Sequence, residues 1–199
     1  LQRLNPSEIT IVTGRGGPRD VGYKKIVQEI DDLIDEDDED TQKDKYLTFT
    51  VGEEEYGIEI YFVTEIIGIQ KITDVPDMPT FIKGVINLRG KVIPVMDVRS
   101  RFKMPERQYD DRTCIIVVNV SSGAVGLVVD TVKEVLSIPP TQIELPPEVA
   151  GTAQQYIKGL GKVGDAVKIL LDAEKLVSRE ETTTPKLIAD FIREKGISA

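Results

Sequence analysis

Residues 85–99 read Val85-Ile86-Asn87-Leu88-Arg89-Gly90-Lys91-Val92-Ile93-Pro94-Val95-Met96-Asp97-Val98-Arg99. Two apolar runs flank a polar turn, which is the pattern of a β-hairpin. Gly90 permits the tight reversal. Leu88 is expected to anchor the turn and Arg89 to face outward. Pro94 cannot donate to a ladder, so its strand is expected to be an edge or bulged. Asp97 and Arg99, two apart in a strand, fall on one face and are expected to pair laterally.

The same kind of run recurs on both sides. Tyr46, Thr48 and Thr50 alternate with Leu47, Phe49 and Val51, a period of two. Tyr56–Ile60, Val63–Ile69, Thr113–Val120, Ala124–Val129 and Val132–Ile138 follow as short apolar segments. After the prolines at 139–140 and 146–147 come Tyr156–Lys162 and Ala166–Leu171. Many short strands between turns predict an all-β body, closed so that no sheet edge lies bare. The body, residues 46–178, is longer than one small five-stranded barrel needs, so two barrels are expected. No repeat stands out along the sequence.

The ends differ from this body. Residues 1–45 hold 12 acidic and 7 basic residues, and Asp31–Asp40 contains eight acids in ten. Such a run repels itself and reads as a solvated, largely flexible extension. Within it Tyr23, Ile26, Val27, Ile30, Leu33 and Ile34 fall at helical spacing, a short helix. Residues 179–199 predict a tail with a short amphipathic helix, from Thr184-Pro185 to a stop at Gly196.

Composition narrows the chemistry. The 199 residues include no histidine, no tryptophan and one cysteine, with a net charge of −9. A Ser-His-Asp or Cys-His nucleophile cannot be assembled, and histidine phosphotransfer cannot start on this chain. The acidic balance argues against nucleic acid, which needs a basic footprint. No apolar run reaches the length of a membrane span and no secretory signal is visible, so no direct membrane insertion and a cytoplasmic location are expected. One cysteine fits a reducing compartment.

Four motifs invite chemistry and each has a plainer reading. Gly14–Gly22 has glycine spacing near that of a P-loop, but Tyr23-Lys24 stands where Lys-Ser/Thr is needed, so a loop is expected. The acidic run lacks the hinge glycine and closing glutamate of a calcium loop. Cys114, inside an apolar strand, is expected to be buried and inert. Asp97, Asp130 and Asp172 each end or interrupt an apolar run, a pattern that raises paired carboxylates, yet no polar cleft set accompanies them. No catalytic residue, cofactor or metal ligand is assigned. Isolated charges among short apolar strands, with amphipathic tails, describe a protein that binds proteins.

Six blocks, in order, resemble the CheW-like domain family of bacterial chemotaxis coupling proteins. They are Glu55–Ile60, Val63–Ile66, Pro79–Gly90, Val92–Arg99, the Val125–Asp130 run with Val132 and Val135-Leu136, and Ile157–Lys162. The resemblance implies two small five-stranded SH3-like β-barrels packed together. It implies a scaffold without an active site, coupling the cytoplasmic signalling tip of chemoreceptors to the chemotaxis histidine kinase and binding that kinase's regulatory domain. It also implies a groove between the barrels that takes a helical hairpin. Val63 and Glu65 match the family's coupling segment, and Arg89 the arginine of its Leu-Arg-Gly turn. The loop Gln142–Val149, with Glu144, Glu148 and Val149, matches a region of further contacts within the receptor array. Here Glu144 stands where a basic residue can occur, and Val149 where an aromatic can. Read without the resemblance, Arg89 is equally a solvated turn residue, Glu65 the partner of a nearby lysine, and Val63 core. A second reading is a regulatory domain of this type detached from a larger protein, the kinase itself or a scaffold–receiver fusion. It ranks behind because no ATP-binding fold is present and the tail is short.

Overall fold

The computed structural model describes residues 42–146 and 155–177, together with Gln28 and Asp32. Gln28 donates to Asp32 four residues on, at 2.9 Å. The glycine-rich loop, the acidic run, the C-terminal helix, Glu148 and Val149 lie outside the described residues, as does nearly all of the expected N-terminal helix.

Eleven strands form two sheets. The chain begins with β1 (Lys45–Val51) and β2 (Glu54–Glu59), then leaves through a single 3₁₀ turn, Ile60–Phe62. A complete second barrel follows: β3 (Val63–Gly68), β4 (Ile82–Leu88), β5 (Lys91–Asp97), β6 (Cys114–Val120) and β7 (Gly123–Val129). A one-turn helix, α1 (Val98–Arg101), follows β5. The chain then returns to the first sheet through β8 (Thr131–Ser137), β9 (Ile143–Glu144), β10 (Ile157–Val163) and β11 (Ala166–Leu171), and ends the described body with α2 (Ala173–Val177). One barrel is therefore split in sequence and the other is inserted into it.

The two barrels share one topology. The inserted sheet runs β3-β6-β7-β5-β4, with only β5 and β7 parallel. The split sheet runs β8-β1-β2-β11-β10-β9, with only β2 and β11 parallel. Strand for strand, β8, β10, β11, β1 and β2 correspond to β3, β4, β5, β6 and β7. The sixth strand, β9, has two residues and corresponds to the bridge of Thr73 to Val85 beside β4. The five-stranded expectation thus holds for the inserted barrel, and the split barrel carries one short strand more. The bulges also correspond. Ile82-Lys83-Gly84 and Ile157-Lys158-Gly159 interrupt the register at equivalent places. Asp97 N–H donates to the Phe81 carbonyl and Asp172 N–H to the Tyr156 carbonyl, both at 2.8 Å.

Gly84 shows why that bulge needs glycine. Its φ is +134°, and a Cβ there would stand 2.1 Å from the Thr73 carbonyl oxygen. The same carbonyl accepts from Val85 N–H at 2.9 Å, the contact that closes the inserted barrel. Gly84→Ala should therefore cost about 3 kcal/mol or more, by strain and loss of closure. Chemical denaturation reads this as a lowered midpoint; an unchanged midpoint would contradict the closure described.

Burial explains the unbroken apolar runs. In β6, Ile115 and Val117 point into the inserted barrel, while Cys114, Ile116, Val118 and Val120 join a core shared by both barrels. In β1, Leu47, Phe49 and Val51 enter the shared core, and Tyr46 the interior of the split barrel. A strand covered on both faces has no polar side to show. The largest apolar cluster is thus the one between the barrels, not the one inside either.

Two expectations from the opening hairpin need correction. The strand of Pro94 is interior, between β4 and β7. Proline is tolerated because its β4 neighbour Val85 spends its N–H and carbonyl on Thr73, and the pairing with β7 begins only at Val95. Arg99 is not in a strand. Asp97 ends β5 and caps α1, accepting from Ser100 N–H at 3.0 Å, so Arg99 is helical and turns away from it.

Candidate functional site: a docking surface on the inserted barrel

The β4–β5 turn is a two-residue loop, Arg89-Gly90, closed by the Leu88–Lys91 pair. Both central residues have positive φ, +51° and +84°. This is the requirement of a type I′ turn, which favours Asn-Gly. Asn87 Oδ1 accepts from Gly90 N–H at 2.8 Å and braces the turn. Leu88 packs against the barrel's inner cluster, as expected. Arginine is thus held in a conformation that costs a non-glycine residue free energy, where asparagine would sit more easily.

Its guanidinium meets Glu65 of β3 in an ion pair. Glu65 is on β3 and Arg89 in the turn that ends β4, strands at opposite ends of the sheet order, and closure of the barrel brings them together. Arg89 is thus a charged partner of Glu65. The Glu65 side chain is about 10% exposed and that of Arg89 36%, so the pair presents the arginine outward. Val63 is 3% exposed and belongs to the shared core. It sets the start of β3 and offers no side-chain surface of its own. The sequence reading passed over Tyr61, on the 3₁₀ turn entering β3, which is 65% exposed and packs edge-on against Phe62 with centroids 5.3 Å apart. Exposed aromatic and arginine side chains are the types enriched at protein-binding surfaces.

Glu144 lies elsewhere, on β9 of the split barrel, paired with Lys162 at 2.5 Å. Leu145 beside it is 85% exposed. The structure does not bring Glu144 to the Glu65–Arg89 surface as a contact.

The three aspartates each have a structural partner. Asp97 caps α1 and accepts from Tyr109 Oη at 2.7 Å. Asp172 accepts from Lys175 N–H in α2 at 3.0 Å. Asp130, at the crossing from β7 to β8, accepts from Arg99 Nη2 and from Gly52 N–H, each at 2.8 Å. Burial pushes the Asp130 carboxyl up. The Arg99 hydrogen bonds, the Gly52 N–H and the charges of Arg99 and Arg107 outweigh that and hold it below its ordinary value. A carboxyl lowered in the folded state contributes stability above its unfolded value, about pH 3.9, and loses it as pH falls through the folded one. Asp130→Asn should accordingly flatten the acid limb of a stability-versus-pH curve below about pH 4. Identical limbs in circular dichroism titrations would contradict this. Cys114 is buried, and burial pushes its thiol up to about 11, which leaves it inert at neutral pH.

Among the described residues no group of three or more His, Cys, Asp or Glu is placed to hold a metal. No helix among them is long and apolar enough to cross a membrane.

Paired small barrels, a shared apolar core, carboxylates used as caps and ion-pair partners, an outward arginine and an exposed tyrosine define a β-barrel scaffold of the protein-binding class. The comparisons agree. The CheW-like domain pattern matches residues 45–181. The chain is 46% identical to a chemotaxis protein CheW of Klebsiella aerogenes over 143 residues, covering 71% of this chain and 86% of that protein. It is 34% identical to that of Bacillus subtilis, covering 70% and 90%. The crystal structure of the scaffolding protein CheW from Thermoanaerobacter tengcongensis superposes with a TM-score of 0.65 at 36% identity, covering 69% of this chain and 94% of that one. The chain belongs to the CheW-like domain family, and it is a chemotaxis scaffold with two SH3-like barrels.

Proposed function

We propose that this chain couples the cytoplasmic tips of chemoreceptors to the chemotaxis histidine kinase, binding the kinase through its regulatory domain and catalysing no reaction itself. The observation that carries this reading is the Glu65–Arg89 pair: an arginine kept in a left-handed turn, braced by a carboxylate of another strand and presented outward. A residue retained against its conformational preference at an exposed turn points to use by a partner. The high coverage of relatives that are themselves CheW proteins favours this reading over that of a fragment of the kinase. Its place is beside receptor arrays on the cytoplasmic side, held by protein contacts. Glu144, Glu148 and Val149 are assigned to a further contact made within such an array.

Calorimetric titration against the isolated kinase regulatory domain and against a receptor-tip helical hairpin tests the assignment. Saturable heats with both partners are expected, and no heat with either would overturn it.

A further inference from the structure

The shared core holds the barrels together, but apolar contact is non-directional and does not by itself fix an angle. Polar contacts do have direction, and two of those between the barrels correspond under the duplication. In the inserted barrel, α1 carries Arg99, whose guanidinium takes Asp130 by Nε at 3.0 Å and Nη2 at 2.8 Å. The same carboxylate accepts from Gly52 N–H in the β1–β2 turn of the split barrel. In the split barrel, α2 carries Glu174, which accepts from both N–H and Oγ of Ser121 at 2.8 Å, in the β6–β7 turn of the inserted barrel. Each barrel's short helix thus reaches the corresponding hairpin turn of the other barrel, β1–β2 or β6–β7. Between them lies Arg101 of α1, with its guanidinium 4.2 Å from the Phe81 ring and 4.9 Å from the Tyr156 ring, two residues at equivalent positions. Its Nε also donates to the Leu176 carbonyl of α2 at 3.2 Å.

We infer that Arg99–Asp130 and Glu174–Ser121 are reciprocal latches that fix the angle between the barrels, and that these are positioning residues for simultaneous docking of two partners. A scaffold that presents two proteins to each other needs that angle fixed. This second half rests on the function proposed above. The Asp130 latch is the stronger, since its side chains are 16% and 11% exposed, whereas the Glu174 contact is solvent-exposed.

The test uses the full chain with spin labels on Asn119→Cys and Val167→Cys, exposed sites on the inserted and split barrels. Buried Cys114 is expected to escape labelling. The distance distribution should be narrow in the parent protein and broader or shifted in Asp130→Asn/Glu174→Gln. Ile115→Val, which loosens one barrel's interior without touching a latch, should stay narrow. A distribution unchanged in the folded double variant overturns the latches. Should the double variant not fold, Glu174→Gln alone, at the exposed latch, carries the same comparison. In the second arm, each partner's pairwise affinity should persist in the latch variant while retention of kinase on receptor tips falls. Full retention despite a broadened distance overturns the positioning role. Failure of the parent chain to retain kinase counts against the scaffold reading, and the distance result stands apart from it.

Discussion

Phe49→Ala should destabilise the protein by about 3–5 kcal/mol, the cost of truncating a fully buried aromatic. Phe49 is 0% exposed and lies in the shared core with Tyr56, its ring centroid 6.1 Å away. For a body of this size the loss corresponds to a fall in Tm of about 10–15 °C. The form of the transition is as informative as its midpoint. Phe49 is on β1 of the split barrel, yet its cluster includes Ile116, Val118 and Leu127 of the inserted barrel. The inserted barrel also interrupts the chain of the split one. Both should therefore unfold together, in one calorimetric transition with matching van't Hoff and calorimetric enthalpies. Two resolved transitions, only one of them shifted by the substitution, would contradict the shared core.

Arg89→Asn should separate stability from function. Asparagine suits the left-handed first position of a type I′ turn, so relief of strain should raise stability by up to about 1 kcal/mol. Removal of the ion pair with Glu65, whose side chain is about 10% exposed, works against this gain and leaves the net change in stability small. Affinity for the partner at this surface should instead fall by about tenfold or more, the effect of deleting a central arginine anchor. Isothermal titration and thermal melts on the same samples read both quantities. Unchanged affinity for both the receptor tip and the kinase domain would remove Arg89 from the site. Lost affinity accompanied by lost stability would assign it a structural task instead.

Much of this was legible in the residues, and what was not has physical causes. The strands were readable because β6 and β7 are covered on both faces and carry near-continuous apolar runs, and because β1 alternates with period two. The turn at Leu88-Arg89-Gly90 was readable because its glycine sits between two such runs. The pairing of Glu65 with Arg89 was not, since it depends on closure of a barrel between residues 24 apart in sequence. The helical place of Arg99 was not legible either, although an aspartate ahead of a short polar, basic run is a usual helix cap. The split of one barrel by the other leaves no composition change at residues 60 and 130, where the crossings fall.

The duplication did leave a trace that went unseen. Val63-Thr64-Glu65-Ile66-Ile67 corresponds to Val132-Lys133-Glu134-Val135-Leu136. Phe81-Ile82-Lys83-Gly84-Val85 corresponds to Tyr156-Ile157-Lys158-Gly159-Leu160. Ile82 to Asp97 and Ile157 to Asp172 are both 15 positions. The likeness is short, and the split barrel is circularly permuted, with its last two strands at the front of the chain. A search for a tandem period therefore finds little. The correspondence also marks where the halves diverge: Gly164, at φ +59°, occupies the place of Arg89. The arginine is particular to the inserted barrel, which is why the docking surface is placed there.

The most direct test of the coupling function is a three-component sedimentation experiment with receptor tips, full-length kinase and this chain. The account predicts that kinase sediments with receptor tips in proportion to added chain, and that Arg89→Asn lowers the yield at equal protein stability. Kinase that sediments equally well without the chain, or stays in the supernatant with it, would contradict the assignment of a coupling scaffold.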